Sequence, residues 1–440
     1  MTSDNKRTSI LRSDITPQAI DDGIMLVPTQ GNGLVVETAK GLVIVDAGPG
    51  GQQTRDMIAA VRGLTPSKVR AIVYSHGHIG YNTGVPDWLE HLAASGMPRP
   101  DLVAHARVRA RFDRYRETDG LQFSLNAWQF SKAPLALIRQ GLHHTDPTIT
   151  FDDEYVFDDD QRPVIVRHSP SETDDSVSVW LPRQKLLWGG PAVINGFPNI
   201  GTPLRTQRLT GRWIDTLEKM IALAPTTLVP EFGPFETTAD KSIERLRVTA
   251  DALRFIRSET IRLMNEGLND VEILHEIRFP DEWRDYGFLG ATYGNPDYVV
   301  RDVFREQNGW WTSRNVTDLH PAAPDEAATA ILSAVDPDKV LARAGELFDA
   351  GSYQLCLGVI DLLALAPGDS APLRQARKLK ADCCERLARS TDTFVSRSLY
   401  FGGRDAASRQ AALARAAPRP RVDRRGPRVN SCLRPGQPAR

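Results

Sequence analysis

Cysteine is scarce in this 440-residue chain: Cys356, Cys383, Cys384 and Cys432 fit neither a disulfide framework nor a cysteine-rich metal site. A reducing compartment, the cytoplasm, is the simplest home for such a chain. No run of eighteen apolar residues occurs, so neither a transmembrane helix nor a membrane partner is expected. The opening residues, Met1-Thr-Ser-Asp-Asn-Lys-Arg7, lead into no apolar segment, which argues against a secretory signal. Charge of one sign is missing too. Lys and Arg number 54 against 55 Asp and Glu, a net charge of -1, which argues against nucleic acid as a partner. What is present is a hydrophobic content of 41%, ample for the cores of two or three domains.

The most informative stretch begins with an apolar run, Val69 to Tyr74, that reads as a buried strand. Ser75-His76-Gly77-His78-Ile79-Gly80-Tyr81-Asn82 follows at once. Open α/β sheets place their chemistry just beyond the carboxyl ends of strands. If extended geometry persists for two residues, His76 and His78 point to the same side and can share one ion. Upstream, Ile24–Val27 and Leu34–Val36 read as a hairpin divided by the turn dipeptide Asn32-Gly33. Leu42–Val45 reads as a strand ending in Asp46, an acid that is either a turn former or a support for the site. Thr54–Val61 reads as a helix.

Downstream, Trp88–Ala94 reads as a helix and Leu102–His105 as a strand. The basic, aromatic run Val108–Arg116 fits an entrance for an anionic substrate and equally a solvated helix face. Strands are expected at Thr148–Phe151 and Pro163–His168. The loop Pro170-Ser-Glu172-Thr-Asp-Asp175 leads into Ser176–Leu181, which alternates as a half-buried strand should. Lys185–Pro191, a helix at Thr216–Leu223 and a last strand and loop at Thr227–Pro234 complete an α/β layered domain. From Asp240 helical periodicity dominates, punctuated by Gly351 and Pro367-Gly368. The arginine- and proline-rich stretch Ala417–Arg440 reads as a disordered tail. The expected division is an N-terminal segment (1–22), an α/β domain (23–239), a helical domain (240–405) and a tail (406–440).

These residues together resemble the metallo-β-lactamase superfamily, and within it the alkylsulfatase-like branch. The resemblance rests on His76-Gly-His78-Ile-Gly80-Tyr81 against the signature His-x-His-x-Asp-His, on Arg111-Phe-Asp-Arg-Tyr115 with Asn126 and Gln129-Phe130, and on Pro170-Ser-Glu172-Thr-Asp-Asp175. In the helical half it rests on Arg262–Gly267, Asn308-Gly-Trp-Trp311 and Leu319-His-Pro321. It spans roughly Gly23 to Gly403 and implies an αββα sandwich followed by an all-helical dimerisation domain, hence a homodimer. Longer relatives continue into a sterol-carrier-like module, where this chain has its tail, which weakens an inference to long-chain substrates.

The resemblance implies one metal held by His76, His78 and Glu172. The ligands of a second metal are replaced by Gly80, Tyr81 and Phe232, and Pro191 stands where the bridging acid would follow a glycine. Glycine, proline and phenylalanine offer no side-chain donor, and Tyr81 would have to ionise. The expected cofactor is therefore one divalent ion per chain, with zinc first and iron second. The reaction expected is hydrolysis of a small or amphiphilic anionic ester by metal-activated water. Glu231 is a candidate replacement acid, Asn126 a polar substrate contact, and Arg205 and Arg208 are candidates for the anionic group, with Arg208 better spaced from Trp213. Two alternatives stand beside this reading: a non-catalytic homologue acting as a dimeric scaffold or binding protein, and a mononuclear iron oxygenase-type enzyme using the His/His/Glu triad.

Overall fold

A computed structural model describes residues 16–130 and 135–413. They form two compact units: the described residues up to Ala323 with Cys384–Gly403, and Pro324–Cys383 with the described residues from Arg404 on.

In the first unit, seven strands build one sheet in sequence order: β1 (Gln18–Asp21), β2 (Ile24–Pro28), β3 (Asn32–Thr38), β4 (Gly41–Val45), β5 (Val69–Val73), β6 (Asp101–His105) and β7 (Ile149–Phe151). Pairing is antiparallel up to β4 and parallel from β4 to β7. The parallel half needs crossovers. Helices α1 (Gly51–Leu64) and α2 (Val85–Ala94) supply two of them, and α3 (Arg107–Glu117), α4 (Asp119–Gln129) and α5 (Leu135–Gln140) lie between β6 and β7. A second sheet runs β12-β11-β10-β9-β8, from β8 (Glu154–Phe157), β9 (Val164–His168), β10 (Val177–Leu181), β11 (Leu186–Ile194) and β12 (Thr227–Phe232). Helix α6 (Thr210–Ala222) joins β11 to its parallel neighbour β12.

The two sheets share one core, in which Ile24, Val36 and Val73 meet Val166, Val179 and Trp188. The outer face of the first sheet is covered by Met57, Trp88 and Phe112 of α1 to α3. Trp213 and Leu217 of α6 pack on the second, together with α7 (Ala239–Asn265), α8 (Asp270–Glu276) and α9 (Pro296–Asn308). The result is the αββα sandwich. Because α7 to α9 bury Leu246, Leu253, Ile273 and Phe304 in the same cluster as the sheet residues Leu187 and Leu228, the compact unit runs on to Ala323, beyond the division expected at 239.

Two local expectations change. The hairpin turn lies at Thr29–Gly31, and Asn32-Gly33 already belongs to β3. The Asn32 amide donates to the carbonyls of Pro230 and Gly233, both at 2.8 Å, tying the two sheets together. Strand β10 is buried on both faces rather than one, because Val177 and Val179 face the core between the sheets while Trp180 packs with Trp213 and Leu217 of α6 on the other side. Its Ser178 hydroxyl is satisfied by Ser169 Oγ at 2.7 Å.

The second unit contains α10 (Pro324–Ala334), α11 (Pro337–Asp349), α12 (Tyr353–Ala364) and most of α13 (Ala371–Ser390). Leu347, Ile360, Leu363 and Leu373 form its core. Buried Arg377 donates to the carbonyl of Ala364, the last residue of α12, and to those of Ala366 and Gly368 in the turn that follows. A last helix, α14 (Phe394–Leu413), continues past residue 405, where the tail was expected to begin. Ala417–Arg440, including Cys432, lies outside the described residues. No described helix is long and apolar enough to cross a membrane.

Candidate metal centre

The two histidines follow β5, where the chain leaves the sheet under firm control. Ser75 N donates to Asp46 Oδ1 at 2.9 Å, and Gly77 N donates to Asp175 Oδ2 at 2.6 Å. Asp46 sits in the left-handed region, with φ 65, and also accepts from Asn82 Nδ2 at 2.9 Å. It therefore both turns the chain and supports the site. Burial pushes its carboxyl up to about 6, against the lowering effect of those hydrogen bonds. Gly77 has no space for a side chain. A Cβ would stand 2.9 Å from Asp175 Oδ2, 2.9 Å from Arg111 Cδ and 3.2 Å from the Phe112 ring.

His76 Nδ1 pairs with Ser75 Oγ at 2.8 Å. Its Nε2 is buried without a hydrogen-bond partner and faces Glu172 Oε2 at 3.9 Å. His78 Nδ1 lies 3.5 Å from Glu172 Oε1. Burial lowers the His76 pKa to about 4, although Glu172 and Asp175 pull the other way. His78 is held well below its ordinary value by burial and then by Arg205. Both rings are thus neutral near pH 7 and keep lone pairs for a ligand. The three donors lie within 4.8 Å of one another. Ligands each about 2.1 Å from one ion can be at most about 4.2 Å apart, a limit that the 3.5 and 3.9 Å separations meet. An orphaned Nε2, a hydrogen bond fixing the other ring nitrogen and a nearby carboxylate fit a single divalent ion.

Glu172 has two further partners. Asn199 Nδ2 donates to Oε1 at 2.7 Å, and Arg208 Nη2 lies 3.0 Å from the same oxygen. Arg208 also donates to the Asn199 carbonyl, and its backbone N–H donates to Asp302 Oδ2 at 2.9 Å. Arg205 takes a different place: its Nη2 donates to Asn126 Oδ1 at 2.8 Å. The structure thus gives the two arginines separate partners, Arg208 the ligand carboxylate and Arg205 the polar residue on α4.

Glu231, on β12, is 1% exposed, and neither of its carboxylate oxygens finds a hydrogen-bond partner of good geometry. Burial, followed by the charge of Glu172, pushes its carboxyl well above the usual range. Tyr81 is its perturbing neighbour, with a ring 4.4 Å from His76. Burial and then Glu231 hold the phenol well above its ordinary value. Gly80 has φ 92, and Phe232 contributes its carbonyl, which accepts from Asn195 N at 2.9 Å.

Sequence reasoning passed over Asn199, Ser75, Asn82 and the pair formed by Arg111 Nε and Asp175 Oδ1 at 2.7 Å. Burial would raise the Asp175 carboxyl, but Arg111, Thr173 and the Gly77 N–H outweigh it and hold it below the ordinary value. Asp175 was visible in the acidic stretch that carries the resemblance, but its partner Arg111, 64 residues away, was not. A lone buried asparagine such as Asn199 leaves no periodic trace.

A family model described as the metallo-beta-lactamase superfamily matches residues 26–231, and one described as alkyl sulfatase dimerisation matches residues 269–409. A linear primary-alkylsulfatase of Pseudomonas sp. (strain ATCC 19151) is 27% identical over 389 residues, covering 83% of this chain and 72% of that protein. An alkyl/aryl-sulfatase of Saccharomyces cerevisiae is 26% identical over 244 residues, 53% of this chain and 36% of that protein. Among solved structures, a stereoselective inverting sec-alkylsulfatase from Pseudomonas sp. superposes with a TM-score of 0.75 at 20% identity, covering 89% of this chain and 66% of that one. The chain therefore spans about a third of the yeast relative and slightly under two thirds of the solved structure.

Proposed function

The chain belongs to the metallo-β-lactamase superfamily, in its alkylsulfatase-like branch, and from that premise we propose that it is a single-metal hydrolase of anionic esters. The observation that carries this reading is the buried His76 Nε2, which has no hydrogen-bond partner and faces Glu172 beside His78. A divalent ion held by His76, His78 and Glu172, zinc before iron, supplies Lewis-acid polarisation of the ester and a lowered pKa for water.

The remaining work falls to the chain's own groups. Arg205, oriented by Asn126, holds the anionic head of the substrate. Arg208 and Asn199 fix the Glu172 carboxylate. Glu231, kept protonated by burial, is the acid for the departing oxygen, and the proton released by the attacking water restores it. The dimerisation match and the exposed Trp310 (73%) and Val316 (73%) support a homodimer, which a light-scattering mass of one chain would refute. A cytoplasmic location completes the reading.

The test is elemental analysis of purified protein together with hydrolysis of a small alkyl sulfate ester. One zinc per chain with turnover is expected, whereas one iron with dioxygen uptake moves the assignment to oxidative chemistry. A folded dimer with only trace metal and no turnover overturns the proposal. That last result favours a second reading, a non-catalytic binding protein or scaffold. The Arg208–Glu172 ion pair supports it, because the guanidinium can supply the positive charge that an ion would bring.

A further inference from the structure

A cavity of about 430 Å³ is lined by Glu172 but by neither histidine. A space of this size suits a small molecule. Two short runs supply its cationic wall. Arg107, Arg111 and Arg114 on α3 are spaced four and then three residues apart, which sets them on one helix face. Arg208 and Arg212, four residues apart, flank the start of α6. Glu172 and Asp174 are the carboxylates lining the same space.

The arginines are not equivalent. Arg111 is committed to Asp175 at 2.7 Å and to Asp174, Arg107 to Asp174 at 3.3 Å, and Arg208 to Glu172 at 3.0 Å. Arg114 rests against the Tyr115 ring, 5.6 Å from its centroid, and pairs with no acid among the described residues. Arg212 has no acidic partner among the described residues either. Arg114, half-buried, and Arg212, exposed, therefore line the cavity without an ion-pair partner among the described residues. Inward, a much smaller space of about 20 Å³ reaches His78 and Arg205, and shares Arg114, Thr206 and Arg208 with the larger one. The large cavity is thus the antechamber of the candidate metal centre.

We propose that this antechamber binds a second anionic group of the substrate, and that the substrate class is a small ester carrying two anionic groups. Arg205, which lines the inner space and is held by Asn126, meets the first where that space joins the antechamber. Arg114 and Arg212 receive the second. Guanidinium groups pair with sulfate, phosphate or carboxylate through parallel charge-assisted hydrogen bonds. An apolar tail in the same place would strip water from both cations and return no partner. The inference rests on the hydrolase reading for the identity of the first subsite, but binding at the second requires no turnover.

Calorimetric titration with ethane-1,2-disulfonate and with methanesulfonate tests it, because neither probe is a hydrolysable ester. The native protein should bind the disulfonate at least about tenfold more tightly than the monosulfonate. The double substitution Arg114→Gln/Arg212→Gln should abolish that advantage, with monosulfonate affinity, metal content and melting temperature unchanged. Arg114→Lys/Arg212→Lys should restore part of it, and each single glutamine substitution should remove part should the double variant fold poorly. Equal affinity for the two probes, no binding of either, or an advantage that survives the double substitution would overturn the proposal. A protein that hydrolyses nothing but keeps the arginine-dependent disulfonate preference refutes the hydrolase reading and leaves the subsite standing.

Discussion

Arg205 and Asn126 come from distant parts of the chain and meet through a hydrogen bond of 2.8 Å from Nη2 to Oδ1. Asn126 is itself held by the bond from its Nδ2 to Gln122 O at 2.7 Å, so the guanidinium is aimed by a fixed acceptor. Arg205→Ala should raise KM for an anionic ester by about 10- to 100-fold, the loss expected for a hydrogen bond to a charged group. Asn126→Ala should give a smaller effect of the same kind. A loss confined to kcat in steady-state kinetics would show that Arg205 does not hold the ground-state anion.

His76→Ala should abolish metal uptake, whereas Tyr81→Phe should leave it nearly unchanged, since the Tyr81 phenol stays neutral. Metal content after dialysis against a weak chelator measures both. Equal losses in the two variants would show that Tyr81 belongs to the ligand set.

Gly77→Ala should lower stability by about 1–3 kcal/mol, the usual cost of overpacking. The new methyl meets Asp175 Oδ2 and Arg111 Cδ at 2.9 Å, and the Gly77–Asp175 hydrogen bond sets the backbone between the histidines. Denaturant unfolding and metal affinity should therefore fall together. A variant with native affinity and reduced stability would separate the fold of this turn from the metal centre.

Asp46→Asn probes a pH effect whose sign is fixed. The folded carboxyl holds its proton up to about 6, against an ordinary value of 3.8. The folded state therefore binds more protons between those values. The stabilisation is fully present below 3.8 and is lost as pH rises to about 6. Asparagine keeps an acceptor for Ser75 N and Asn82 and is tolerated in the left-handed region. The stability of the variant relative to the native protein should increase from pH 4 to pH 7 by up to about 3 kcal/mol. A difference independent of pH would show that Asp46 titrates alike in the folded and unfolded chain.

The strands of the sandwich were legible because Val69–Val73, Leu42–Val45 and Thr227–Phe232 are short apolar runs ended by turn chemistry. His76, His78 and Glu172 were legible because few side chains can act as metal donors. Strand β8 escaped, since its apolar run, Tyr155–Phe157, is only three residues long, is flanked by acids on both sides and is largely solvent-facing. The allocation of Arg205 to Asn126 and Arg208 to Glu172 was hidden for another reason. Both arginines lie in one irregular loop, and spacing to Trp213 says nothing about which way a loop side chain turns. The run Val108–Arg116 carried two readings, because a helix face looks the same in sequence whether it meets bulk water or a cavity.

The ion pair between Arg208 and Glu172, with side chains 4% and 8% exposed, has a kinetic consequence. The guanidinium is engaged at Oε1, while His76 Nε2 faces Oε2. An ion taken up between the histidines would therefore meet a carboxylate that is already aimed and still has an oxygen to offer, so loading would be an addition rather than an exchange. Uptake should then rise in proportion to metal concentration instead of levelling off, and the metal-free chain should keep the Glu172 orientation that the loaded one needs.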